Sequence, residues 1–470
     1  MARRGPSALV SFSLASLLAI AGIATSALGG ATRPRDRSRE GEPAAPVADT
    51  GPTPAGDAPF GPPRPPPLDH ALRVIVGGDL LPHRPSRVAP ASILAALAPL
   101  RPLFGQADAV IANYEAATGD VDPKAFRLAY AAPAGWLEEL PKAGLRGITV
   151  ANNHACDLGA PGLEATLDAA SKSGLLALGA DGADPWEPRA IVEQNGKRIC
   201  AVAWTTLSNA EGGCSRSRHL AVATLDGAGK QRIDRAMAKA RAMCDATIAI
   251  FHGGQEYAPQ TTLVVDQAVH AAEAGADAVI IHHPHIASPV IVHATKDGRQ
   301  VPLFASVGNL VTNQGESWKP PMFPVLPENR RLVCVNGWTR LGVLADLSFT
   351  FDSSPAASPG ASPSKRPRLE WGTHLVWIDN EHAEDRNVAT PRIAARLLHP
   401  QHDSVIIDAL TMDRRGPLAL FSDPCWLERT AGTGTLTHDA RCASDASPAA
   451  TGAAAIPSRA AKHATSRRKK

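Results

Sequence analysis

The sequence has little tyrosine and, outside its last residues, no excess of basic charge. Only 3 of the 470 residues are tyrosine, against 16 histidines. The formal net charge is +3, but basic residues in the C-terminal tail more than account for it, so the rest of the chain is net negative. This balance predicts no nucleic-acid partner. The histidine excess indicates a site that uses imidazole, first of all a metal or phosphate site.

Both ends of the chain lack the side chains that build a core. Arg3 and Arg4 precede an uncharged run, 8–27, that is rich in Leu, Ile, Val and Ala and is typical of a secretory signal. No sharp cleavage site follows, so residues 1–30 are predicted to be a signal peptide or an N-terminal membrane anchor. No cysteine lies near residue 30, which argues against a bacterial lipoprotein. We therefore expect an exported protein, periplasmic or anchored to the outer side of the cell membrane.

Two further segments are predicted to be disordered. Residues 31–70 form a Pro-rich linker that cannot bury enough apolar surface to fold. Residues 446–470 form a basic tail, interpreted as a solvated end or, alternatively, as a charge-mediated contact with an anionic surface or polymer. The basic residues of the tail are Arg459, Lys462, Arg467, Arg468, Lys469 and Lys470.

The seven cysteines show no zinc-knuckle spacing. In an oxidising compartment an odd number leaves at least one thiol free or paired between chains. Cys200 and Cys334 lie in apolar runs typical of strands, so we expect them to pack as small hydrophobic residues. Two local pairs are plausible: Cys425 with Cys442, and Cys214 with Cys244.

From residue 72 the chain alternates short apolar runs with longer Ala- and Leu-rich stretches. This alternation predicts a layered α/β fold with a largely parallel central sheet. The predicted strands are 73–79, 108–113, 147–152, 198–204, 246–252 and 277–283. The predicted helices are 90–100, 133–143, 161–173, 229–242 and 262–274, of which the third and fifth are closed by Gly174 and Gly275.

The pattern changes after residue 315. Residues 340–352 and 373–380 alternate like half-exposed antiparallel strands, and the Ser/Pro/Ala-rich insert 353–368 between them is predicted to be a disordered loop. The folded domain is accordingly placed at 71–384. Residues 385–445 are treated as an extension of unknown role, with a helix candidate at 390–398, an apolar run at 404–410 and the segment LALFSD.

Polar residues collect where the predicted strands end, which is the edge where open α/β sheets bind ligands. Asp79 follows two glycines at a strand end and can reach a cation, although it could also cap a helix. Asn113 and Glu115 are two residues apart, so both side chains can point into the same crevice. Each of these signals is weak when taken alone.

The segment ANNHACDLG (151–159) is a stronger signal. Asparagine oxygens bind cations without adding charge, and His154 can donate a proton near neutral pH. The alternative is that the asparagines make turn hydrogen bonds and His154 caps a helix. His252, in FHGGQEY, and the run HHPH (282–285) complete the set, and the proline holds two imidazoles in a geometry suited to one ion or two adjacent ions. A histidine-rich run can also bind metal adventitiously.

Taken in order, six motifs resemble those of the CapA family of poly-γ-glutamate capsule biosynthesis proteins. The resemblance covers residues 73–315 and implies the fold of calcineurin-like metallophosphoesterases, a four-layer α/β/β/α sandwich with a metal-binding crevice. The motifs are GGDLLPHR, ADAVIANYEA, ITVANNHACDLGAPGLEATLDAASKSGLLALGA, IFHGGQEY, GADAVIIHHPHIASPV and FASVGNLVTNQ.

By similarity to dimetal phosphoesterases, the crevice would hold divalent metal ions, two in number, and His154 would donate a proton to the leaving group. The resemblance assigns these metal ligands: Asp79, Glu115 in place of a bridging aspartate, Asn153, His252, His283 and His285. It assigns these residues to substrate binding: Arg84, Asn113, Asn152, Glu256 and Asn309.

Three positions depart from the family pattern. Leu81 stands where dimetal phosphoesterases have a histidine, Gly253 where the CapA pattern has tryptophan, and Ile281 where it has glycine. Two functions therefore stay open. One is a metal-dependent, phosphoesterase-like hydrolase acting in synthesis or export of a capsule polymer. The other is a non-catalytic partner that binds an anionic polymer such as poly-γ-glutamate, or the membrane synthase complex that makes it.

Overall fold

A computed structural model describes most of the chain between residues 71 and 411. The described ranges are 71–82, 90–120, 130–181, 183–209, 214, 219–258, 262–288, 290–322, 332–351, 366–380, 393–399 and 402–411. The predicted N-terminal signal or anchor, the linker 31–70, residues 353–365, the segment LALFSD, Cys425, Cys442 and the basic tail lie outside these ranges. None of the helices within them is long and apolar enough to cross a membrane.

The described residues form strands and helices that alternate through most of the domain. The strands are β1 (Ala71–Leu81), β2 (Ala109–Tyr114), β3 (Ala117–Thr118), β4 (Ala131–Ala132), β5 (Gly147–Thr149), β6 (Leu176–Leu178), β7 (Arg189–Gln194), β8 (Lys197–Thr205), β9 (Ala246–His252), β10 (Ala278–His282), β11 (Val290–Ala294), β12 (Gln300–Phe304), β13 (Asn309–Thr312), β14 (Leu341–Thr350), β15 (Arg368–Asp379) and β16 (Ala394–Leu397). The helices are α1 (Pro90–Leu97), α2 (Arg101–Phe104), α3 (Gly135–Glu139), α4 (Gly159–Lys172), α5 (Gly227–Met243), α6 (Thr262–Ala274) and α7 (Ser404–Thr411).

Two large sheets organise the domain. The first sheet has the order β16-β15-β14-β1-β2-β5-β6, and β13 also pairs with β1. Its β1, β2, β5 and β6 are parallel, whereas β14, β15 and β16 are added antiparallel. The second sheet has the order β11-β12-β10-β9-β8-β7, with parallel pairing from β12 through β8.

Three hydrophobic clusters stack the sheets and helices in layers. The middle cluster lies between the two sheets and includes Val76 of β1 and Ile250 of β9. The cluster on the outer face of the first sheet includes residues of α1 to α4, such as Trp136. The cluster on the outer face of the second sheet joins α5 and α6 to β8, β9 and β10, for example through Met237. The layer order is therefore α/β/β/α, as the resemblance implied.

The predicted elements of the α/β region are confirmed with small shifts at their ends. All six predicted strands are present, as β1, β2, β5, β8, β9 and β10, and all five predicted helices contain helical segments. Gly174 and Gly275 end their helices at φ angles of 73° and 126°, which favour glycine. The two predicted antiparallel strands are β14 and β15.

Three expectations about the C-terminal part are wrong. The helix predicted at 390–398 is instead strand β16, which pairs antiparallel with β15. The sheet partner overrides helix propensity here, because tertiary pairing outweighs the few tenths of a kcal/mol at stake per residue. The domain consequently extends past residue 384, since Ala409 and Leu410 of α7 also join the middle cluster. The insert ends earlier than predicted, because Arg368 already begins β15.

The predicted cysteine pairing is also wrong. The structure contains disulfides Cys156–Cys214 and Cys200–Cys244, so Cys214 does not pair with Cys244. Cys200 is a buried residue of β8 as expected, but it is bonded rather than free. Cys334 is a free thiol in a short 3-10 turn, not in a strand. Sequence separation did not identify the pairs because the bonded cysteines are brought together by the fold.

Candidate metal centre

The glycine pair before Asp79 changes the sheet partner of β1. Residues up to Val76 pair with β14, and after a bulge Asp79 pairs with Asn309 of β13. A Cβ at Gly78 would lie 2.1 Å from the carbonyl oxygen of Gly308, so only glycine allows this approach. The Asp79 backbone N–H donates to the same carbonyl at 3.0 Å. The bulge thereby fixes the carboxylate of Asp79 in the space between the sheets.

Buried amides hold Asp79 from the side of β2. The Asn113 Nδ2 donates to Asp79 Oδ1 at 2.8 Å. The Asn113 Oδ1 accepts from Thr149 Oγ1 at 2.9 Å and from Asn152 Nδ2 at 3.2 Å. Because each of these polar atoms is satisfied, the position of Asp79 is defined by the sheet itself.

Glu115, directly after β2, has different surroundings from Asp79. Its side chain is fully buried, and neither carboxylate oxygen has a hydrogen-bond partner. The Oε1 lies 3.6 Å from His252 Nε2 and 3.6 Å from His285 Nε2, which is too far for a hydrogen bond. Ligand atoms around one tetrahedral cation lie roughly 3.4 Å apart at typical zinc distances. An unpaired buried carboxylate at this spacing is the environment expected of a metal ligand.

The second sheet supplies imidazoles from the ends of β9 and β10. The His252 Nε2 lies 2.8 Å from Asn153 Oδ1 and 3.1 Å from His283 Nδ1. The His285 Nδ1 lies 3.1 Å from Asp79 Oδ2 and 3.1 Å from Asn309 Oδ1. Since Asp79 lies in β1 and Asn153 follows β5, both strands of the first sheet, these contacts close the crevice between the sheets.

The backbone of the HHPH segment is held in an unusual conformation. His283 and His285 have φ angles of 102° and 58°, in the region that residues with side chains rarely adopt. Pro284 between them restricts the chain further. Such local strain persists where the surrounding structure requires it, and here it aims both rings into the crevice.

Burial favours the neutral forms of the carboxyl and imidazole groups in this cluster. Burial and the neighbouring Asp79 raise the pKa of Glu115 well above its usual range. Burial opposes ionisation of Asp79, but the hydrogen bond with His285 and the charge of His282 hold its pKa below the usual value. Burial lowers the pKa of His283 to about 3 and that of His252 well below the usual range. The imidazoles of His252 and His283 are therefore neutral at neutral pH.

Among the residues that the structure describes, two groups of three side chains could hold a metal ion, and both contain Glu115. The first group consists of Asp79, Glu115 and His252, and the second of Glu115, His283 and His285. Within each group the ligand atoms lie within 4.8 Å of one another. Asn153 lies beside His252 and could add an amide oxygen. The residues present therefore fit a cation-binding centre with Glu115 at its middle.

His154 lies beside this cluster, within a hydrogen-bonded pair that sequence reasoning missed. The His154 Nδ1 is 2.7 Å from Asp157 Oδ2, and Asp157 Oδ2 also accepts from the backbone N–H of Tyr130. A carboxylate on Nδ1 leaves Nε2 as the nitrogen that can face a substrate. Asp157 is part of the segment ANNHACDLG, so its position in the motif was the available signal.

The residues predicted to bind substrate fall into three groups. Asn113, Asn152 and Asn309 are buried, and their hydrogen bonds hold other site residues, while their assignment to substrate binding stays a prediction. Glu256 is exposed, beside Tyr257, whose backbone N–H donates to Pro284. Arg84 lies outside the described residues.

Further contacts support the cluster from residues inside the predicted motifs. The His282 Nε2 lies 2.9 Å from the carbonyl oxygen of Gly77 and so joins β10 to β1. The Asn309 Nδ2 donates to Gln314 Oε1 at 3.0 Å, and Gln314 Nε2 donates to the Tyr257 hydroxyl at 3.2 Å. These bonds orient His285 through Asn309.

The three departures from the family pattern have local explanations. Leu81 is buried in β1 and supplies no imidazole to the crevice. Ile281 is buried under α5 and α6 in the outer cluster of the second sheet. A Cβ at Gly253 would lie 2.3 Å from Thr206 Oγ1, so a larger residue there requires Thr206 to move.

The chain is similar to two curated capsule proteins. The chain is 26% identical over 225 residues to the capsule biosynthesis protein CapA of Bacillus anthracis, covering 46% of this chain and 53% of that protein. It is 29% identical over 168 residues to the PGA biosynthesis protein CapA of Bacillus subtilis (strain 168), covering 35% of this chain and 42% of that protein. The chain thus spans about half the length of the curated relatives it matches.

A solved phosphatase from Mycoplasma pneumoniae aligns with a TM-score of 0.38 and 17% identity, over 66% of this chain and 95% of that structure. The order of layers described above, rather than this likeness, is the basis of the fold assignment. The family model described as bacterial capsule synthesis protein PGA_cap matches residues 73–314, which contain every described residue of the cluster. The chain belongs to the PGA_cap family of bacterial capsule synthesis proteins.

Proposed function

We propose that this chain is an exported, metal-dependent hydrolase of the phosphoesterase type that acts in synthesis or export of a capsule polymer. The observation that carries the proposal is Glu115, a buried carboxylate with no hydrogen-bond partner, surrounded by imidazoles from the other sheet. A buried carboxylate without a partner is costly, and a bound cation removes the cost. Two overlapping ligand groups around Glu115 favour a pair of divalent cations.

The residues have separate roles in this proposal. Asp79, Glu115, Asn153, His252, His283 and His285 hold the cations. When bound, the cations supply Lewis-acid activation of a water molecule and of the scissile group. His154 donates a proton to the leaving group from Nε2, because Asp157 occupies Nδ1 and orients the ring.

The substrate class and location are extended from the family and the N-terminal sequence. The curated relatives are named for capsule and PGA biosynthesis. The uncharged run at 8–27 is typical of an export signal or anchor, which would place the domain outside the cytoplasm near the membrane. An anionic polymer such as poly-γ-glutamate, or its synthase complex, is the proposed partner.

Metal analysis and a hydrolysis assay test this proposal together. The purified full-length chain is expected to retain divalent metal by elemental analysis and to hydrolyse bis(p-nitrophenyl) phosphate. Replacing the proton donor, His154→Ala, is expected to lower kcat by about 100-fold, the usual contribution of a general acid, while the metal content is unchanged. A chain that binds no divalent ion, or a His154→Ala variant with full activity, would refute the proposal.

A second candidate is a non-catalytic protein that binds an anionic polymer through its cations. Leu81 favours it, because the position where dimetal phosphoesterases have a histidine here carries a buried apolar side chain. In this case chelation would abolish binding of poly-γ-glutamate, measured by sedimentation, while no ester is hydrolysed. Polymer binding that survives both chelation and Asp79→Ala would assign it to the basic tail instead.

A further inference from the structure

The segment after β8 reaches from the second sheet to the residues around His154. We call residues 206–209 together with Cys214 the β8 loop. The backbone N–H of Asn209 donates to the carbonyl of Asn153 at 3.1 Å. The Asn209 side-chain nitrogen lies 3.4 Å from His154 Nε2. Asn209 therefore contacts both Asn153 and His154, although it follows a strand of the second sheet and they follow a strand of the first sheet.

The start of the β8 loop is packed closely against the second sheet. The backbone N–H of Thr206 donates to the carbonyl of His252 at 2.9 Å. Gly253 next to it leaves no room for a side chain, because a Cβ there would lie 2.3 Å from Thr206 Oγ1. The β8 loop thus leaves the sheet in a fixed direction beside His252.

A disulfide fixes the other end of the β8 loop. Cys214 is bonded to Cys156, which lies two residues after His154, and both cysteines are buried. The loop is thus attached to the His154 segment by a covalent bond at Cys214 and by hydrogen bonds at Asn209.

The ring of His154 is contacted on its remaining sides by the first half of the domain. Asp157 holds Nδ1 at 2.7 Å, and the ring of Tyr130 lies 4.1 Å away between centroids. Because a carboxylate cannot donate, Nδ1 carries the proton in the neutral ring and Nε2 is the acceptor. In this neutral form Asn209 Nδ2 donates to Nε2 and holds the ring. When the ring takes up the second proton, which it passes to the leaving group, Nε2–H is released from Asn209 Nδ2 and can turn to the substrate.

We propose that Asn209 is a positioning residue for His154, and that the Cys156–Cys214 disulfide holds it in place. The proposal rests on the function proposed above, in which His154 acts as proton donor. Asp157 alone leaves the ring free to tilt about its Nδ1 contact, whereas contacts at both nitrogens define its plane. Loss of either Asn209 or the disulfide would leave Nε2 uncovered and the ring less well oriented.

The second disulfide provides a matched control within the same chain. Cys200–Cys244 joins β8 to the residue after α5, and Cys200 lies five positions before the end of β8. The two disulfides close chain segments of similar length, since the sequence separations are 58 residues for Cys156–Cys214 and 44 residues for Cys200–Cys244. The two bonds should therefore stabilise the fold similarly, but only Cys156–Cys214 lies beside His154.

Chemical labelling of His154 tests the proposal without relying on turnover. The full-length protein, loaded with Mn²⁺, is treated with diethyl pyrocarbonate, and the labelling rate of His154 is followed by peptide mass spectrometry. Asn209→Ala is expected to raise this rate about five-fold, the factor that one neutral hydrogen bond is worth. Ser208→Ala, an exposed neighbour in the same loop, is expected to leave the rate unchanged.

The disulfide variants use the same measurement. Cys156→Ser with Cys214→Ser is expected to raise the labelling rate of His154 as much as Asn209→Ala does, whereas Cys200→Ser with Cys244→Ser does not. Equal acceleration in both double variants would overturn the role of Cys156–Cys214, because general loosening would explain it. If the first double variant does not fold, Asn209→Ala against Ser208→Ala still decides the role of Asn209.

Hydrolysis of bis(p-nitrophenyl) phosphate separates the two proposals. Asn209→Ala is expected to lower kcat about five-fold with KM unchanged, as befits a group that orients the proton donor. An active wild type whose Asn209→Ala variant labels and turns over normally would overturn the positioning role while the hydrolase stands. Altered labelling in a protein with no activity even as wild type would support the positioning role and refute the hydrolase.

Discussion

The two sheets contribute different chemistry to the metal centre. The first sheet supplies two carboxylates, Asp79 and Glu115, and amides that hold them or lie beside them. The second sheet supplies imidazoles, among them His252 and His283, whose pKa values are lowered chiefly by burial. Asp79, with its lowered pKa, is therefore anionic, whereas His252 and His283 are neutral, so the two sides of the crevice differ in charge.

The difference explains why neither sheet can form the site alone. Asp79 is satisfied by hydrogen bonds within the first sheet and from His285, whereas Glu115 has none. A buried carboxylate left unpaired is destabilising unless it is protonated or bound to a cation. The raised pKa of Glu115 means that its carboxyl group is protonated when no cation is bound. The imidazoles that face Glu115 could hold a bound cation together with it.

The largest expected effect comes from removing the charge that both ligand groups share. Glu115→Gln should weaken divalent metal binding by more than the ~10–100-fold that loss of a group supporting a ligand costs, because a ligand itself is lost. Titration calorimetry with Mn²⁺ measures this. Without metal, the same variant should unfold at an equal or higher Tm, since its neutral amide does not have to take up a proton to be buried, as the Glu115 carboxylate does.

Glu256→Gln is the control for that change, because Glu256 is an exposed carboxylate close enough to Glu115 to influence its pKa. It should leave metal affinity nearly unchanged. If Glu115→Gln binds Mn²⁺ as tightly as wild type, the central position of Glu115 between the sheets has no role in metal binding.

A smaller effect is expected from disturbing the bulge that carries Asp79 towards the second sheet. Gly78→Ala places a Cβ 2.1 Å from the backbone oxygen of Gly308, and overpacking of this kind costs about 2–3 kcal/mol. Urea unfolding of the metal-free protein measures the loss. Gly227→Ala, where a Cβ meets nothing within 4 Å, should change stability little. Equal stability of the two variants would show that β1 and β13 need no close approach.

The smallest effect concerns the neutral imidazoles of the second sheet. The pKa of His283 is about 3 in the folded protein and 6.5 in the ordinary range, so below pH 6.5 the unfolded chain binds a proton that the folded protein does not. Stability should therefore fall as pH falls, by about 1.4 kcal/mol per pH unit for one such proton. His283→Gln should flatten this slope between pH 6 and 5, roughly by the share of one proton.

Chelated protein and urea titrations at several pH values measure the slope, so that metal release does not contribute. His402→Gln serves as the control, since His402 is exposed before α7. An unchanged slope in His283→Gln would mean that His283 is already protonated in the folded protein, and the division between an anionic and a neutral side of the crevice would be incorrect.

Local patterns in the sequence were sufficient to predict the strands and helices of the α/β region. Continuous apolar runs such as 246–252 are typical of strands covered on both faces, and Gly174 and Gly275 mark helix ends by their backbone freedom. The segment 390–398 was misread because its strand, β16, exists only through pairing with β15. A short edge strand carries too little local signal to be distinguished from a helix.

Part of the site could also be predicted, because the predicted strands indicate where their ends lie. Parallel strands end at a common edge, so Asp79, Glu115, Asn153, His252 and His283 could be grouped before any contact was known. Asn309 and Asn113 were assigned to substrate binding by the family resemblance, and the structure adds that both are fully buried and orient other residues. Asn209 could not be found at all, because its contact with His154 joins residues 55 positions apart in different sheets.

The sequence by itself determined the order of the strands and helices, the types of ligand at the strand ends and the membership of the family. The tertiary structure decided which atoms face each other: the disulfide partners, the hydrogen bonds of the buried amides and the isolation of Glu115. The physical reason is the distance along the chain over which each kind of interaction acts. Strand and helix signals depend on neighbours a few residues away, whereas burial and pairing depend on atoms that only the packing of the two sheets brings within a few ångströms.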